Sequence, residues 1–492
     1  MPTPVRRLLA SIGVVAIVGG ILVAPVAMAG ETKTYLVVYK SLAVPSDAAT
    51  TITRAGGTLV VAYSEIGVAV ARSTSTTFRS TMRKDTRVFD AASTSKVVVR
   101  AEELNTVSEA APDIPVTDSS ETLFGLQWDM TQIHTPEAHA ITGGSPTVIV
   151  GDLDTGLDFT HPDIAPNYDA ANSTDCSSGV PSPLLPGNDQ AGHGTHTAGT
   201  IAAAANGLGI VGVAPNVKIA GIKSSNDDGF FFPEMVVCAF MWAGSHGIDV
   251  TNNSYFADPW LFNCKNDAEQ RAIFKAESRA IRYALGKGTV VVASEGNFSD
   301  DLAHVTQDII SPDTDATPPA RDISNACEVV PVEVPGVIGV TANGNLGIKS
   351  YYSNYGMGVT QVIAPGGDRR LQLTAAAPNG RVLSTWPSYL PCAIQVIDPG
   401  TGAKYCYLQG TSMAGPHVAG VAALVRSRFL DLSPGAVSAL ISKTADPLPC
   451  PDIAPYAPFP SVSNGAPQVC TGGTSYNSFN GHGQVNALRA IQ

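Results

Sequence analysis

Charged residues are scarce in this sequence, and basic residues are scarcer than acidic ones. Only 15% of the 492 residues are charged, and 30 Lys and Arg stand against 42 Asp and Glu, for a net charge of −12. Because 44% of the residues are hydrophobic, the chain can bury a sizeable core and is not intrinsically disordered. The shortage of cations argues against a nucleic-acid partner, since such proteins carry a basic footprint.

Beyond the first 26 residues, no stretch is long and apolar enough to span a bilayer. At the N-terminus, Arg6 and Arg7 precede an apolar stretch over 8–26, and Ala27-Met28-Ala29 has the small-x-small pattern of a cleavage site. We therefore predict a signal peptide over 1–29, an extracellular product, and no membrane association once the signal is removed. The alternative is an uncleaved anchor helix, because the apolar stretch is near the spanning length.

Cysteine is absent before residue 150, and no Cys-x-x-Cys pair occurs, which disfavours a cysteine metal site. An even number of cysteines in an exported chain predicts disulfides. Many pairings are compatible with the sequence; the two local ones that the spacing suggests are Cys392 with Cys406 and Cys450 with Cys470. The eight cysteines are Cys176, Cys238, Cys264, Cys327, Cys392, Cys406, Cys450 and Cys470.

The first part of the exported chain predicts a small α+β module over 33–100. Strand patterns occur at 34–39, 58–63 and 67–71, and helix-compatible stretches lie between and after them. The following segment, 101–122, contains six acidic residues and two prolines with few large apolar side chains. That composition is typical of an exposed, protease-accessible linker.

The remainder alternates strand and helix patterns. Short β-branched runs predict strands buried on both faces of a parallel sheet, and longer amphipathic stretches predict helices between them. We therefore predict an α/β three-layer sandwich with a mainly parallel central sheet over 123–445, with a Pro- and Gly-rich extension, 446–492, packed on it. The predicted strands are 148–154, 217–222, 290–293 and 337–341, and the predicted helices are 197–205, 234–245, 269–285 and 416–426.

Three short segments carry the residue types of a nucleophilic hydrolase. They are Asp152-Leu-Asp154-Thr-Gly156, Gly192-His193-Gly-Thr-His196 and Gly410-Thr-Ser412-Met-Ala-Gly-Pro-His417. A hydroxyl nucleophile needs a base within hydrogen-bond reach and an acid that orients the base, and Asp154, His193 and Ser412 supply these groups. No second Asp-Thr-Gly or Asp-Ser-Gly occurs, which excludes the paired carboxylates of an aspartic protease.

A fourth group, Asn297, ends a buried-type strand, where its amide can donate to a developing oxyanion. The four segments, in the order Asp, His, Asn, Ser, resemble the subtilisin family of serine peptidases. The resemblance covers about 123–445. It implies that Asp154 orients His193, that His193 acts as general base and then acid, and that Ser412 is the nucleophile. Asn297, with the backbone N–H of Ser412, would form the oxyanion hole.

Residues 33–100 resemble the inhibitory propeptide of that family, which implies a zymogen with its own propeptide as intramolecular inhibitor. Relative to a compact subtilisin, four stretches are long and each carries a cysteine. We expect them to form disulfide-tied surface loops near the cleft. These stretches are 168–190, 257–270, 299–334 and 369–409.

The resemblance also indicates a substrate groove and a metal site. The groove strand would follow Ser254, but Tyr255 and Phe256 stand where relatives usually have small residues; they either fill a side-chain pocket or pack inward. Asp163 and Asn206 match a structural calcium site of the family. A glutamine near the mature N-terminus is another usual ligand of that ion, and Phe124 stands roughly where we expect it.

The sequence thus predicts a secreted, monomeric serine endopeptidase of broad specificity that acts on proteins or peptides and needs no cofactor for its chemistry. The altered groove residues motivate an alternative, a dedicated processing protease with one narrow target. A second alternative is a non-catalytic binding protein on the protease fold, which the presence of all four catalytic residue types disfavours.

Overall fold

The computed structural model describes residues 31–94 and 120–492. The predicted signal peptide (1–29), the end of the predicted propeptide (95–100) and most of the predicted linker (101–119) lie outside the described residues. Within the described ranges, no helix is long and apolar enough to cross a membrane. Two sheets of different character follow one another along the chain, one antiparallel and one parallel.

The first sheet is antiparallel and belongs to a small N-terminal module. Its strands pair in the order β2-β3-β1-β4. Alternation along the first strand places Tyr35 and Val37 against the helices of the module, whereas Leu36 and Val38 face the rest of the protein. The predicted α+β module is confirmed, and its last strand is one that the sequence analysis did not predict. The elements are β1 (Lys33–Tyr39), α1 (Ala48–Arg54), β2 (Gly57–Tyr63), β3 (Val68–Ser73), α2 (Phe78–Met82) and β4 (Val88–Ser93).

The second part of the chain alternates strands and helices, followed by a short hairpin region and C-terminal helices. Its elements are α3 (Trp128–Gln132), α4 (Thr135–His139), β5 (Ile149–Asp154), β6 (Thr174–Asp175), α5 (His193–Ala202), β7 (Lys218–Lys223), α6 (Pro233–Ser245), β8 (Val250–Asn253), β9 (Asn263–Cys264), α7 (Ala268–Lys287), β10 (Val290–Ser294), β11 (Gln307–Asp308), β12 (Arg321–Asp322), β13 (Cys327–Glu328), β14 (Ile338–Asn343), β15 (Thr360–Pro365), β16 (Val382–Thr385), β17 (Gln395–Ile397), β18 (Lys404–Leu408), α8 (Thr411–Arg428), α9 (Pro434–Thr444), β19 (Gly472–Gly473), β20 (Tyr476–Asn477) and α10 (Ala487–Ile491).

The central sheet has seven parallel strands in the order β15-β14-β10-β8-β5-β7-β6. Its strands are buried on both faces and carry many apolar side chains, as a sheet covered on both sides requires. In β10, for example, Val290 and Val292 pack into the core on one face, while Val291 and Ala293 pack into the core on the other. The predicted α/β sandwich with a parallel sheet is confirmed.

Helices form the two outer layers. One layer contains α6 and α7, and the other contains α5, α8, α9 and α10. The eighth helix is buried over almost its whole length, because it lies across β8, β10, β14 and β15 beneath later helices. The carboxyl ends of β5, β8 and β10 and the amino ends of α5 and α8 meet at one edge of the sheet, which is where functional groups of open α/β folds collect.

The N-terminal module docks on α6 and α7 through the open face of its sheet, and both sides share one apolar cluster. Polar contacts hold its ends. The Arg279 guanidinium donates to the carbonyl oxygens of Tyr39 (2.9 Å) and Ile66 (3.0 Å). At the start of α7, Glu269 accepts the Ser93 N–H at 2.9 Å. The module therefore covers both faces of its sheet only while it stays bound to this helix pair.

Four disulfides are present, and they include both local pairs that the spacing suggested, Cys392–Cys406 and Cys450–Cys470. The other two bridges join distant parts of the chain. Cys176–Cys238 ties the 168–190 loop to α6, and Cys264–Cys327 joins the two long stretches 257–270 and 299–334. In the described residues no cysteine is free.

The C-terminal extension covers the edge of the central sheet. Ile363 of β15 donates its N–H to Gly483 and accepts the N–H of Val485, both at 3.0 Å. Pairing this edge removes the row of free backbone groups that an outer strand would expose. The extension also buries Lys349, whose ammonium donates to the carbonyl oxygens of Ser350 (3.0 Å) and Ser353 (2.6 Å). Three aromatic rings surround this ammonium, those of Tyr355, Tyr456 and Phe479.

Burial lowers the pKa of Lys349 to about 7, although Asp368 and Glu295 oppose the shift. An unfolded lysine has a pKa near 10.4, so between about pH 7 and 10 the unfolded chain binds more protons at this position than the folded chain. We therefore expect the stability to gain from this group as pH rises through that window, by up to about 1.4 kcal/mol per pH unit. Urea unfolding of Ser412→Ala protein, with and without Lys349→Met, checks this from pH 6.5 to 10. Equal pH slopes in the two proteins would contradict the assignment.

Candidate active site

Asp154 and His193 lie side by side because the end of β5 touches the start of α5. The two backbones approach so closely that a Cβ on Gly194 would lie 2.1 Å from the Gly156 carbonyl oxygen. Only glycine fits there. In this arrangement the His193 Nδ1 lies 2.7 Å from Asp154 Oδ1, and the carboxylate is fully buried. Because Nδ1–H donates to Asp154, the neutral imidazole has its acceptor at Nε2.

A buried carboxylate that the sequence analysis missed, Asp189, fixes the start of α5. It accepts the backbone N–H groups of Gly192 (2.8 Å) and Thr195 (2.9 Å) and the hydroxyl of Thr155 (2.9 Å). The hydroxyl of Thr155 in turn accepts the N–H of Gly194 at 2.9 Å. Asp189 thus caps the helix that carries His193 and ties it to the residue after Asp154. An acidic residue shortly before a helix start is the signal that would have revealed it.

The neighbouring carboxyl group, Asp152, points away from His193 into the protein. It accepts hydrogen bonds from Asn252 (2.8 Å) and from the hydroxyl of Thr197 (2.7 Å). Burial, and then the charge of Asp154, hold the pKa of Asp152 well above its usual range. Asp152 therefore joins β5, β8 and α5 beneath the site.

Ser412 is the second residue of α8, which begins at Thr411 and so one turn earlier than the predicted start at Pro416. Proline has no N–H, so inside a helix it leaves the carbonyl oxygen four residues earlier without its usual donor. Here that oxygen belongs to Ser412, and the Ser254 hydroxyl donates to it at 3.1 Å. In return the Ser412 Oγ donates to the Ser254 carbonyl oxygen at 3.1 Å. The pair fixes Ser412 against the strand end after β8.

Asn297 lies against the start of α8. The Asn297 Oδ1 accepts the backbone N–H (2.9 Å) and the hydroxyl (3.0 Å) of Thr411. With Oδ1 committed, the amide NH2 is oriented away from Thr411. A carbon placed on Gly410 would lie 3.6 Å from both Asn297 Nδ2 and Ser412 N. The glycine therefore keeps a side chain out of the space beside these two nitrogen atoms.

His193, Asn297 and Ser412 line a cleft with a volume of about 330 Å³. The structure brings the three predicted groove residues, Ser254, Tyr255 and Phe256, to its wall. Tyr255 packs inward, because its ring stacks on Phe231 with a centroid distance of 4.2 Å. Phe256 meets the ring of Phe298 edge-on at 6.3 Å. Aromatic rings therefore bound the cleft beside Ser412, where the resemblance implies small residues.

The two other histidines of the motifs, His196 and His417, are buried, and each has a ring nitrogen within hydrogen-bond distance of a group outside the site. The His196 Nε2 lies 3.0 Å from the Cys406 carbonyl oxygen, and burial lowers the pKa of His196 to about 3. The His417 Nε2 lies 3.0 Å from a carboxylate oxygen of Asp129. Both rings connect α5 and α8 to neighbouring segments.

The predicted metal residues, Asp163 and Asn206, lie close together away from the cleft, but their surroundings do not fit a calcium ion. Asp163 Oδ2 accepts the hydroxyl of Tyr405 (2.7 Å) and the N–H of Ile210 (3.0 Å), and Asn206 Nδ2 lies 3.4 Å from Oδ1. Calcium takes oxygen acceptors, whereas here donors face the carboxylate. In the part of the chain that the structure describes, no cluster of three or more His, Cys, Asp or Glu residues is arranged to hold a metal.

Comparison with known proteins places this geometry in a family. The model of the subtilase family, peptidase family S8, matches residues 145–484. Fervidolysin from Fervidobacterium pennivorans is 30% identical over 341 residues, which are 67% of this chain and 41% of fervidolysin. M-protease from Shouchella clausii (strain KSM-K16) is 31% identical over 325 residues, 66% of this chain and 64% of M-protease. The chain thus spans less than two thirds of the length of these two relatives.

Solved structures share the fold. The epidermin leader peptide processing serine protease from Staphylococcus aureus superimposes with a TM-score of 0.66 at 21% identity, covering 94% of this chain and 98% of that chain. Fervidolysin superimposes with a TM-score of 0.64 at 23% identity, covering 94% and 61%. Together with the match over 145–484, these comparisons confirm the resemblance drawn from the four motifs. The chain belongs to the subtilase family.

Proposed function

We propose that the chain is an extracellular serine endopeptidase, made as a zymogen, that hydrolyses protein or peptide substrates as a monomer and without a cofactor. The observation that carries the proposal is the buried Asp154 carboxylate 2.7 Å from Nδ1 of His193, which lines one cleft with Ser412 and Asn297. The disulfides support an oxidising, extracellular location, because such bonds are rare in reducing compartments. M-protease and Subtilisin BL, both among the relatives, support the reaction class.

In the proposed reaction, Ser412 Oγ attacks the carbonyl carbon of the scissile peptide while its proton passes to His193 Nε2. The hydrogen bond from Ser412 Oγ to the Ser254 carbonyl breaks as this transfer begins. His193 then gives the proton to the leaving amine, and an ester remains on Ser412. Water repeats the two steps and frees the carboxylic acid. Asp154 stabilises the imidazolium that forms in each half of the reaction.

Asn297→Ala should lower kcat by on the order of 10²–10³, a magnitude known for this donor in subtilisin itself, with little change in KM. The donor acts on charge that appears only in the transition state, so substrate binding is spared. The matched variant is Asn297→Asp, which keeps an oxygen for the two contacts from Thr411 but presents no NH2 to the cleft. Steady-state kinetics on a peptide substrate measure both. If Asn297→Asp retains normal kcat, the side chain serves only to position Thr411.

We further propose that the N-terminal module is the intramolecular inhibitor and that maturation cuts the chain between residues 94 and 120. Support comes from the module's position on α6 and α7, with Arg279 and Glu269 at its ends. From Ser120 onward the chain is part of the second domain, because Glu121 and Leu123 are buried in it. A cut between these points separates the module without disturbing the packed residues on either side.

Labelling with a serine-directed phosphonate tests the proposed activity. The wild-type enzyme should take up one equivalent, and Ser412→Ala should take up none, because only a serine activated by a neighbouring base reacts. Ser388→Ala is the matched control, since this exposed serine lies close to the cleft residue Trp386. It should label as the wild type does. A wild-type protein that resists labelling would favour a non-catalytic binding protein on this fold.

A narrow processing role is the second candidate function, and the aromatic cleft wall favours it. Phe231, which stacks on Tyr255, also donates its N–H to the Asp258 carboxylate, and Asp258 returns its N–H to the Phe231 carbonyl oxygen at 3.0 Å. Both residues line the cleft, so these contacts fix one part of its wall, and we expect a fixed wall to restrict how a peptide enters. Cleavage of a peptide library distinguishes the candidates: one accepted sequence supports processing, and many accepted sequences support a broad specificity.

A further inference from the structure

We propose that hydrogen bonds centred on the Tyr405 hydroxyl and Asp163, here called the lock, fix the loop over 205–211 without a metal ion. In relatives we expect a bound calcium ion to fix the corresponding loop. The lock joins three segments: the loop itself, the residues around 121–123, and an inserted hairpin formed by β17 and β18. It is a property of this chain's own residues and does not depend on the proposed catalytic activity.

Donors already occupy the carboxylate that would ligate the ion. Tyr405 donates to Asp163 Oδ2 at 2.7 Å, and the Ile210 N–H donates to the same oxygen at 3.0 Å. A cation that bound this oxygen would have to displace both hydrogen bonds.

The Tyr405 hydroxyl also fills the space beside Asp163 Oδ2. A Cβ on Gly209 would lie 1.8 Å from the Tyr405 hydroxyl oxygen and 2.4 Å from Asp163 Oδ2. The loop can pass this point only as a glycine with a positive φ of 58°. The Tyr405 ring is fully buried and meets His161 edge-on at 5.1 Å. The Tyr405 hydroxyl and the Gly209 backbone thus occupy the space beside Asp163 Oδ2, where calcium would need further oxygen ligands to reach the roughly 6–8 that it takes.

The segment before Phe124 holds the other side of the loop. Glu121 accepts the N–H groups of Gly207 and Leu208, both at 3.0 Å. The Thr122 hydroxyl accepts the N–H of Gly209 at 2.7 Å, and Leu123 donates its N–H to the Gly209 carbonyl oxygen at 2.7 Å. These backbone contacts fix the loop. In the family, a glutamine that binds the calcium ion is expected to contribute to the same effect. The backbone contacts explain how the loop can be fixed although Phe124 stands at that place.

The inserted hairpin supplies the remaining parts. Tyr405 lies on β18, and Asp398 follows β17 in the turn, where it accepts the hydroxyl of Thr122. The bridge from Cys392 to Cys406 fastens the hairpin next to Tyr405. The long stretch over 369–409, its cysteine pair and the missing glutamine are thus three departures from the family with one structural explanation. The hairpin replaces the ion.

The test is thermal unfolding of the full chain as Ser412→Ala, so that proteolysis does not interfere, in excess EDTA and in excess Ca²⁺. We expect equal midpoints in the two conditions. Tyr405→Phe should lower the midpoint by about 3–8 °C in both, because a buried hydrogen bond to a carboxylate is lost. Tyr283→Phe is the control: it also removes one hydroxyl, from a half-buried tyrosine on α7 far along the chain from Tyr405. We expect it to change the midpoint by less than about 1 °C.

Calorimetric titration with Ca²⁺ gives a second readout that does not require any lock variant to fold. No heat of binding is expected at this site up to millimolar Ca²⁺. A saturable site with a Kd in the micromolar range, lost in Asp163→Asn, would overturn the proposal. An unchanged midpoint in Tyr405→Phe, or a midpoint that falls in EDTA, would do so as well.

Discussion

Ser412→Ala is expected to lower turnover by on the order of 10⁶-fold, the size of effect known for the nucleophile of subtilisin itself, and to leave the N-terminal module attached. The alanine keeps the helix start, because the Ser412 carbonyl still accepts the Ser254 hydroxyl. What it removes is Oγ, and with it the ester intermediate on which peptide hydrolysis and self-processing both depend. The fold should therefore persist while both activities disappear.

The measurement is the intact mass and N-terminal sequence of the secreted wild-type and variant proteins, together with hydrolysis of a peptide substrate. Wild type should begin between residues 95 and 120, and the variant should still contain residues 31–94. If both proteins are cut at the same place, a different protease matures the chain, and the zymogen proposal loses its self-processing step. If neither is cut, the module is a permanent part of the protein, and the propeptide assignment is wrong. The hydrolysis measurement is independent of either result.

The site could be predicted from the sequence because its chemistry sits in short, glycine-flanked segments. A side chain at Gly194 would clash with a neighbour, and one at Gly410 would enter the cleft. The glycines that define the motifs therefore stand at the positions where the structure needs glycine. The predicted starts of two helices are less accurate than the predicted site. Both α5 and α8 begin earlier than predicted, at His193 and Thr411, because the first turns contain glycines and small polar residues that carry no apolar period.

Three strands of the central sheet, β6, β8 and β15, were not predicted, and for β8 and β15 the structure shows a physical reason. The strand β8 ends in Asn252 and Asn253, polar side chains that normally argue against a buried strand. Here Asn252 donates to Asp152 and Asn253 donates to the Val292 carbonyl oxygen at 3.0 Å, so both amides are satisfied inside the sheet. Their partners come from β5 and β10, and no pattern within the strand itself reveals them. The edge strand β15 is likewise completed by residues 483–485, more than a hundred positions later.

The same limit applies to the disulfides and to the calcium loop. Cys392–Cys406 and Cys450–Cys470 close short loops that spacing can suggest, whereas Cys176–Cys238 and Cys264–Cys327 span separations of 62 and 63 residues. Only the packed fold brings those pairs together. The Tyr405 hydroxyl reaches Asp163 across 242 residues in the same way. A local motif can therefore indicate a metal-binding loop although a distant insertion supplies a side chain, here Tyr405, that takes the place of the metal ion.

Asp154→Asn is expected to lower kcat by on the order of 10⁴-fold, the effect of this change on a serine-protease triad, while KM changes little. The substitution preserves shape but removes the charge that holds His193 Nδ1–H and stabilises the imidazolium. Its new NH2 group would replace a carboxylate oxygen: at Oδ2, which is buried and lacks a hydrogen-bond partner, or at Oδ1, where it would face the donors of His193 and Thr155. Either placement weakens the orientation of the base.

Asp152→Asn is the matched control, because it neutralises the next carboxyl group on the same strand. Asp152 contacts Asn252 and Thr197 but is not hydrogen-bonded to His193. We expect a loss of stability from the rearranged hydrogen bonds and less than about a tenfold fall in kcat per folded molecule. Kinetics with active-site titration measure the two variants on the same scale. Equal losses would mean that buried charge at the end of β5, and not the contact with His193, supports catalysis.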